Sequence, residues 1–180
     1  DVICHGIPCK EDVLKEGDIV NIDCSTILDG YYSDSSRMFC IGEVSPERKK
    51  LVDVTYEAVQ RGLAAVKPWA TVGDIAHAVQ TYVESNGFSV VRSFVGHGVG
   101  RQLHEEPEVP NYGNPGRGPR LLPGMTIAVE PMVNVGTYDV RVLKDGWTTV
   151  TVDGKLSAHY ENTVLITDGE PEILTVTEGL

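Results

Sequence analysis

The chain has 180 residues, of which 41% are hydrophobic and 23% are charged, and these fractions are those of an ordinary globular protein. We therefore expect a single domain over residues 1–180, with a sizeable core. The formal net charge of −11 argues against a nucleic-acid-binding surface, which needs clustered Lys and Arg. There is no run of about 18 apolar residues, so no membrane span is predicted.

All the cysteines lie in the first quarter of the chain, at Cys4, Cys9, Cys24 and Cys40. Their spacing matches no zinc-finger pattern, and their number is too small for a disulfide scaffold. Reduced thiols in a cytoplasmic protein are therefore expected. The chain begins at Asp1 with what reads as mid-domain sequence and no secretory signal, so we expect the domain to be truncated at its amino end.

The first predicted element is a β-hairpin. Asp18–Leu28 is rich in β-branched residues and ends at Asp29-Gly30, a pair that is typical of two-residue turns. Tyr31–Ile41 is then expected to return as the antiparallel partner.

The turn fixes the register of this hairpin, and the register places two acids together. Ser25 should face Asp34 across the strands, and Asp23 lies two residues along from Ser25 on the same face. Asp23 and Asp34 are therefore predicted to be diagonal neighbours whose carboxylates can converge. A bulge in either strand would break this inference.

Two helices should follow the hairpin. The first has Ser45 as its N-cap and Pro46 at its first position. The second has Thr71 as its cap with Asp74 three residues on, a variant of the capping box, and Asn86-Gly87 closes it. Apolar residues recur on one face of each helix, which predicts that both cover a sheet.

The rest of the chain is expected to consist of strands and loops. Met125–Val129 is predicted to be a strand that ends at Glu130. Trp147–Val152 and Lys155–Thr167 are predicted to form a second antiparallel pair around Asp153-Gly154. The predicted class is therefore α/β of the α+β type, with an antiparallel sheet and covering helices.

Five potential metal ligands are spread over more than a hundred residues. They are Asp23, Asp34, His97, Glu130 and Glu161. Four carboxylates and one imidazole suit two divalent ions that share bridging oxygens. Two carboxylates on one face of a sheet also need a cation or a shared proton between them. The set predicts a dinuclear metallohydrolase.

Each of these residues also has an interpretation without a metal. Asp23 could occupy an exposed alternate position of its strand. His97, in GHGVG, could be a turn histidine bonded to the backbone, although its glycines would let the backbone approach a ligand closely. Glu130 and Glu161 could be surface acids at strand ends.

Several longer motifs, in this order, are similar to those of bacterial type I methionine aminopeptidases. They are CHGIP, DIVNID followed by Asp34, GHGVGRQLHEEPEVPNYG, PGMTIAVEPMV, DGWT and SAHYENTVLIT. The likeness extends over essentially the whole chain. It implies the pita-bread fold, in which two related halves hold a dinuclear site on a curved antiparallel sheet with covering helices. It also implies that relatives carry a further segment before the point that matches Asp1.

The resemblance implies a role for each proposed ligand. Asp23 would chelate one metal, and Asp34 and Glu161 would bridge both. His97 and Glu130 would complete the shell of the second metal. The two divalent ions would come from Mn, Fe, Co or Zn, which carboxylate-plus-histidine sites accept.

The resemblance also implies catalytic and substrate-binding residues. Glu130 would carry a proton, His104 would stabilise the oxygen of the tetrahedral intermediate, and His5 would lie near the scissile nitrogen. His5, Leu103, His104 and Trp147 would contact the substrate. Leu103 stands where relatives commonly have an aromatic side chain or Met, and Trp147 could instead simply pack in the core.

The implied function is removal of the initiator Met from nascent polypeptides whose second residue is small. The partner would be the N-terminal Met of those chains, with contact to the ribosome left open and neither nucleic acid nor membrane expected. Two alternatives stay open. One is an Xaa-Pro aminopeptidase or prolidase of the same fold, and the other is an inactive fragment that retains the metal site.

Overall fold

A computed structural model describes residues 1–176, which form two helices and thirteen strands. The helices are α1 (Pro46–Ala64) and α2 (Val72–Ser85). The strands are β1 (Val2–Cys4), β2 (Ile19–Leu28), β3 (Tyr31–Cys40), β4 (Ser89–Val90), β5 (Gly96–Gly98), β6 (Glu105–Val109), β7 (Thr126–Val129), β8 (Met132–Asn134), β9 (Val140–Val142), β10 (Thr149–Thr151), β11 (Ser157–His159), β12 (Glu161–Leu165) and β13 (Glu172–Ile173).

The strands form one large sheet and two small ones. The large sheet has seven strands, in the order β2-β3-β12-β7-β5-β6, with β13 also paired to β12. The small sheets have the orders β1-β10-β9 and β11-β8-β4. The pairs within all three sheets are antiparallel, which confirms the predicted α+β class with an antiparallel sheet. No helix within residues 1–176 is long and apolar enough to cross a membrane.

The β2–β3 hairpin has the predicted register. Ten consecutive pairs run without a bulge from Ile19 opposite Cys40 to Leu28 opposite Tyr31. The turn residues Asp29 and Gly30 have φ angles of 50° and 83°. Positive φ at both positions gives the turn whose twist matches that of the flanking strands, and this match explains why the register holds.

Both helices begin with the predicted caps. The Ser45 hydroxyl accepts a hydrogen bond from the Arg48 backbone N–H at 3.3 Å. The Asp74 carboxylate accepts from the Thr71 backbone N–H at 2.7 Å and from the Thr71 hydroxyl at 2.8 Å. These bonds satisfy donors that the first turn of a helix otherwise leaves free, so both helices start where the sequence predicts.

The helices pack on one face of the large sheet, and the candidate site lies on the other. The main core joins buried side chains of both helices to β7 and β12. It includes Val59, Leu63, Ile75, Ile127, Val129, Val164 and Ile166. Because successive strand residues point to opposite faces, Glu161 and Thr163 of β12 face away from the helices.

The prediction that the strands on either side of Asp153-Gly154 pair with each other is wrong. The chain does turn there, because the Asp153 carboxylate accepts from the Thr137 and Lys155 backbone N–H groups. However, the strands on either side diverge into different sheets. Strand β10 pairs with β1 and β9, β11 pairs with β8, and β12 pairs with β3 and β7. A local turn signal could not give the partners of these strands.

Candidate metal centre

Four neighbouring strands of the large sheet, β3, β12, β7 and β5, each bring one potential ligand to the same place. We refer to Asp34, His97, Glu130 and Glu161 as the ligand cluster. One ligand atom from each of Asp34, His97 and Glu161 lies within 4.8 Å of the others. The His97 Nε2 atom is also 3.3 Å from Glu130 Oε1 and 3.8 Å from Asp34 Oδ2. The three carboxylate residues are only 2–8% exposed.

Asp23 lies beside the ligand cluster and not within it. It is exposed on β2, opposite Ser36, and is absent from the group of atoms within 4.8 Å of one another. Its carboxyl group nevertheless faces the cluster. Burial of that carboxyl group, together with the Asp34 and Glu130 carboxylates, raises the pKa of Asp23 above its ordinary value. A cation near these groups would oppose that shift.

A backbone contact orients the His97 ring. Its Nδ1 atom lies 2.9 Å from the carbonyl oxygen of Gly98, which can only accept a hydrogen bond, so Nδ1 carries a proton. In the neutral ring, Nε2 then presents a lone pair to the Glu130 and Asp34 carboxylates. A lone pair that faces two carboxylates is unfavourable unless a cation or a proton lies between them.

The glycines beside His97 serve sheet packing and not ligand approach. A Cβ atom on Gly96 would lie 2.3 Å from the backbone oxygen of Ala128, and one on Gly98 would lie 2.3 Å from that of Glu106. Strand β5 is thus held close to both β6 and β7. The close spacing brings His97 beside Glu130, which directly follows β7.

The surroundings of Glu161 disfavour an ionised carboxylate unless a cation is present. It is 2% exposed, and its Oε1 atom has no hydrogen-bond partner within residues 1–176. Burial, followed by the Glu130 and Asp34 carboxylates, raises the pKa of Glu161 well above its ordinary value. An unpaired buried oxygen among like charges is costly, and a divalent cation would remove that cost. The residues of the ligand cluster therefore fit a divalent metal.

Hydrogen bonds from neighbouring strands hold Asp34 in place. The Ser25 hydroxyl, opposite it in the hairpin, donates to Asp34 Oδ1 at 2.9 Å. The Thr163 hydroxyl of β12 donates to the Asp34 carbonyl oxygen at 2.7 Å. These contacts leave Asp34 Oδ2 directed toward His97.

The predicted substrate-contacting residues surround the cluster. The ring of His104 packs edge-on against that of His97, with 4.3 Å between their centroids. Both rings line a cleft of about 570 Å³, which continues past acidic Glu105, Glu106 and Glu108. Leu103, next to His104, is half-buried.

His5 and Trp147, two further residues predicted to contact the substrate, lie against each other. Their rings are stacked, with centroids 4.7 Å apart, and Trp147 is 57% exposed, so it is not a core residue. Phe94 meets His5 edge-on at 5.6 Å. The sequence predicted no role for Phe94, because only the fold brings its ring close to His5. Burial raises the pKa of the neighbouring Cys4 thiol to about 12, so this thiol is protonated and is no nucleophile at neutral pH.

His159, for which the sequence predicted no role, also lies next to Glu130. It is 1% exposed, and its Nε2 atom lies 3.5 Å from Glu130 Oε2. Its position two residues before Glu161 does not indicate this contact, because Glu130 belongs to a distant part of the chain.

Buried carboxylates and an imidazole on an antiparallel sheet, with helices on its other face, define a metal-dependent hydrolase. Residues 1–168 match metallopeptidase family M24, and the chain belongs to that family.

Relatives with high identity cover nearly the whole chain. A methionine aminopeptidase of Clostridium acetobutylicum is 55% identical over 98% of this chain and 70% of the relative. Methionine aminopeptidase 1 of Bacillus subtilis is 52% identical over 96% of this chain and 69% of the relative. The chain thus spans about 70% of the length of these proteins.

Solved structures agree with this assignment, and a methionine aminopeptidase matches this chain better than a prolidase does. Methionine aminopeptidase from Rickettsia prowazekii superimposes with a TM-score of 0.94 at 49% identity, covering 97% of this chain and 71% of that one. Prolidase from Pyrococcus furiosus gives a TM-score of 0.71 at 25% identity, over 92% and 43% of the two chains. The pita-bread fold expected from the sequence is confirmed, and the prolidase alternative is not favoured.

Proposed function

We propose that this chain acts as a methionine aminopeptidase, hydrolysing the first peptide bond of polypeptides that begin with Met. The observation that carries the proposal is the ligand cluster, and the exposed aromatic stack of His5 and Trp147 supports it. An aromatic surface suits the polarizable thioether of a Met side chain. The names of the most similar relatives support the same activity.

Two divalent ions, drawn from Mn, Fe, Co or Zn, would occupy the site. Asp23 would hold one ion, His97 and Glu130 would hold the other, and Asp34 and Glu161 would serve both. When bound, such ions would polarise a carbonyl and lower the pKa of water, and aminopeptidases are standard examples of this two-metal chemistry. The raised pKa values of Asp23 and Glu161 fit this assignment, because a nearby cation would favour the ionised form of both carboxyl groups.

The other residues would act on the peptide. The Glu130 carboxylate would accept a proton from the attacking water and return it to the leaving nitrogen. His104 would donate a hydrogen bond to the oxygen of the tetrahedral intermediate, and His5 would lie near the scissile nitrogen. Leu103 and Trp147 would line the methionine pocket. The acidic cleft beyond His104 offers a favourable field for the positively charged α-amine.

The substrates would be nascent polypeptides whose second residue is small, and the reaction would remove their initiator Met. The setting would be the cytoplasm, where new chains leave the ribosome.

Hydrolysis of Met-Ala-Ser tests the proposal. The metal-free chain should release no Met, and the same chain supplied with Mn(II) or Co(II) should release it. Asp34→Ala should abolish the release, because it removes a bridging carboxylate. Peptides that begin with Xaa-Pro serve as the competing substrate. Cleavage of those peptides alone would favour a prolidase-type enzyme, and no cleavage despite bound metal would contradict the proposal for this chain.

A further inference from the structure

A chain of polar groups runs from the half-buried Asn21 of β2 to Glu130. The Asn21 side-chain amide donates to Ser36 Oγ at 2.6 Å and to the His159 carbonyl oxygen at 2.7 Å. Ser36 Oγ lies 3.5 Å from His159 Nδ1, and His159 Nε2 lies 3.5 Å from Glu130 Oε2. Ser36 and His159, in the middle of this chain, are at most 1% exposed.

One arrangement of the hydrogens lets Ser36 both accept and donate. The Asn21 amide can only donate through nitrogen, so Ser36 Oγ accepts that bond and its own hydrogen is free to donate. In this arrangement the Ser36 hydroxyl donates to His159 Nδ1, which lies 3.5 Å away. An imidazole that accepts at Nδ1 is the neutral tautomer with its hydrogen on Nε2. That hydrogen faces the Glu130 carboxylate.

The two oxygens of Glu130 therefore have different surroundings. Oε1 faces His97 Nε2 at 3.3 Å, inside the ligand cluster, and Oε2 faces His159 Nε2 at 3.5 Å. His159 Nε2 makes no hydrogen bond within residues 1–176, and a buried N–H without an acceptor is unfavourable. A small movement of the carboxylate toward His159 would satisfy this N–H and fix the carboxylate plane.

We propose that His159 is a positioning residue for Glu130, and that Ser36 and Asn21 fix its tautomer. After that movement His159 would donate to Oε2 and so direct Oε1 toward the metal. It touches neither the metal nor the peptide in this role. The proposal rests on the proposed function only in taking Glu130 as a metal ligand.

The tautomer is tested in the metal-free protein by ¹⁵N NMR with labelled histidine. His159→Gln identifies the His159 signals by their loss. The expected result is a neutral ring with its hydrogen on Nε2, and Ser36→Ala should add the Nδ1–H form. A protonated ring or a predominant Nδ1–H tautomer in the unmodified protein would overturn the proposal.

Metal binding gives the second readout, by calorimetric titration with Mn(II). His159→Leu removes the donor, and we expect metal affinity to fall about 10- to 100-fold, the usual effect of losing a partner of a ligand. His159→Gln should bind within about threefold of the unmodified protein, because its amide can still donate to Glu130. Ser157→Ala is the matched control, since it alters β11 on the same face but bonds to Val133 instead.

Equal metal affinity in His159→Leu and the unmodified protein would refute the positioning role. If His159→Leu does not fold, the tautomer and the His159→Gln affinity still decide the question. Both readouts are independent of peptide hydrolysis. A failure of this proposal would therefore leave the aminopeptidase proposal standing, and an inactive chain with the expected tautomer would leave this one standing.

Discussion

Glu161 combines nearly complete burial with an oxygen that has no partner in the described part of the chain. In the metal-free protein, Glu161→Gln should raise the free energy of unfolding by roughly 1–3 kcal/mol, because a neutral amide that can donate to the Glu130 and Asp34 carboxylates replaces a buried carboxyl group that those carboxylates disfavour. The same change should weaken Mn(II) binding, because an amide oxygen is a poorer ligand than a carboxylate. Urea unfolding with and without Mn(II) measures both effects. A variant that is destabilised in both states would contradict the prediction.

The raised pKa of Glu161 also predicts a pH dependence. Below the ordinary glutamate pKa of about 4.3, both the folded and the unfolded states hold the proton. As the pH rises above this value, the unfolded state ionises and the folded state resists ionisation, so stability falls. The metal-free protein should therefore melt at a lower temperature at pH 7 than at pH 5. Parallel melting curves of Glu161→Gln should show a smaller difference, and equal differences would refute this origin.

The candidate site was only partly predictable from individual residues. Asp23 and Asp34 could be assigned to one face because the turn and strand alternation are local properties. His159 and Phe94 could not be assigned, since each gains its role from a partner in another element. From the sequence, Trp147 could either contact the substrate or pack in the core, and its exposure excludes the core.

Strand β5 positions His97 through its narrow spacing from β7. Gly96→Ala would place a methyl group against the Ala128 backbone oxygen, and backbone atoms cannot move aside cheaply. We expect a loss of about 1–3 kcal/mol in stability, typical of overpacking, and weaker Mn(II) binding although no ligand is changed. Gly169→Ala is the control, because a Cβ atom there meets nothing within 4 Å. Unchanged metal affinity in Gly96→Ala would show that β5 can shift without moving His97.

Elements with local signals were predicted well, and those with distant partners were not. The Asp29-Gly30 turn determines every pair of the β2–β3 hairpin, so its register follows from the sequence. The strands on either side of Asp153-Gly154 also follow a turn, yet each pairs with strands from elsewhere in the chain. Their partners depend on packing across the whole domain, which a local pattern does not contain.

At the scale of the whole molecule, a bound cation should act as a stabiliser of an acidic chain. A ligand that binds only the folded state at a hundredfold excess over its Kd adds about 2.7 kcal/mol. For a domain of this size, each kcal/mol shifts Tm by about 2–4 °C. Calorimetry should therefore show a rise in Tm with Mn(II) that is absent in Asp34→Ala. An equal rise in both proteins would indicate that metal binds elsewhere.

The ligand cluster draws on strands from both ends of the chain. The hydrogen bond from Thr163 to the Asp34 carbonyl spans 129 residues, and Glu161 lies beside Thr163 on β12. During synthesis, a growing polypeptide would carry Asp34 long before it carried Glu161. A chain that stopped before β12 would lack Glu161 and Thr163, so the complete ligand cluster could form only after β12 had been made.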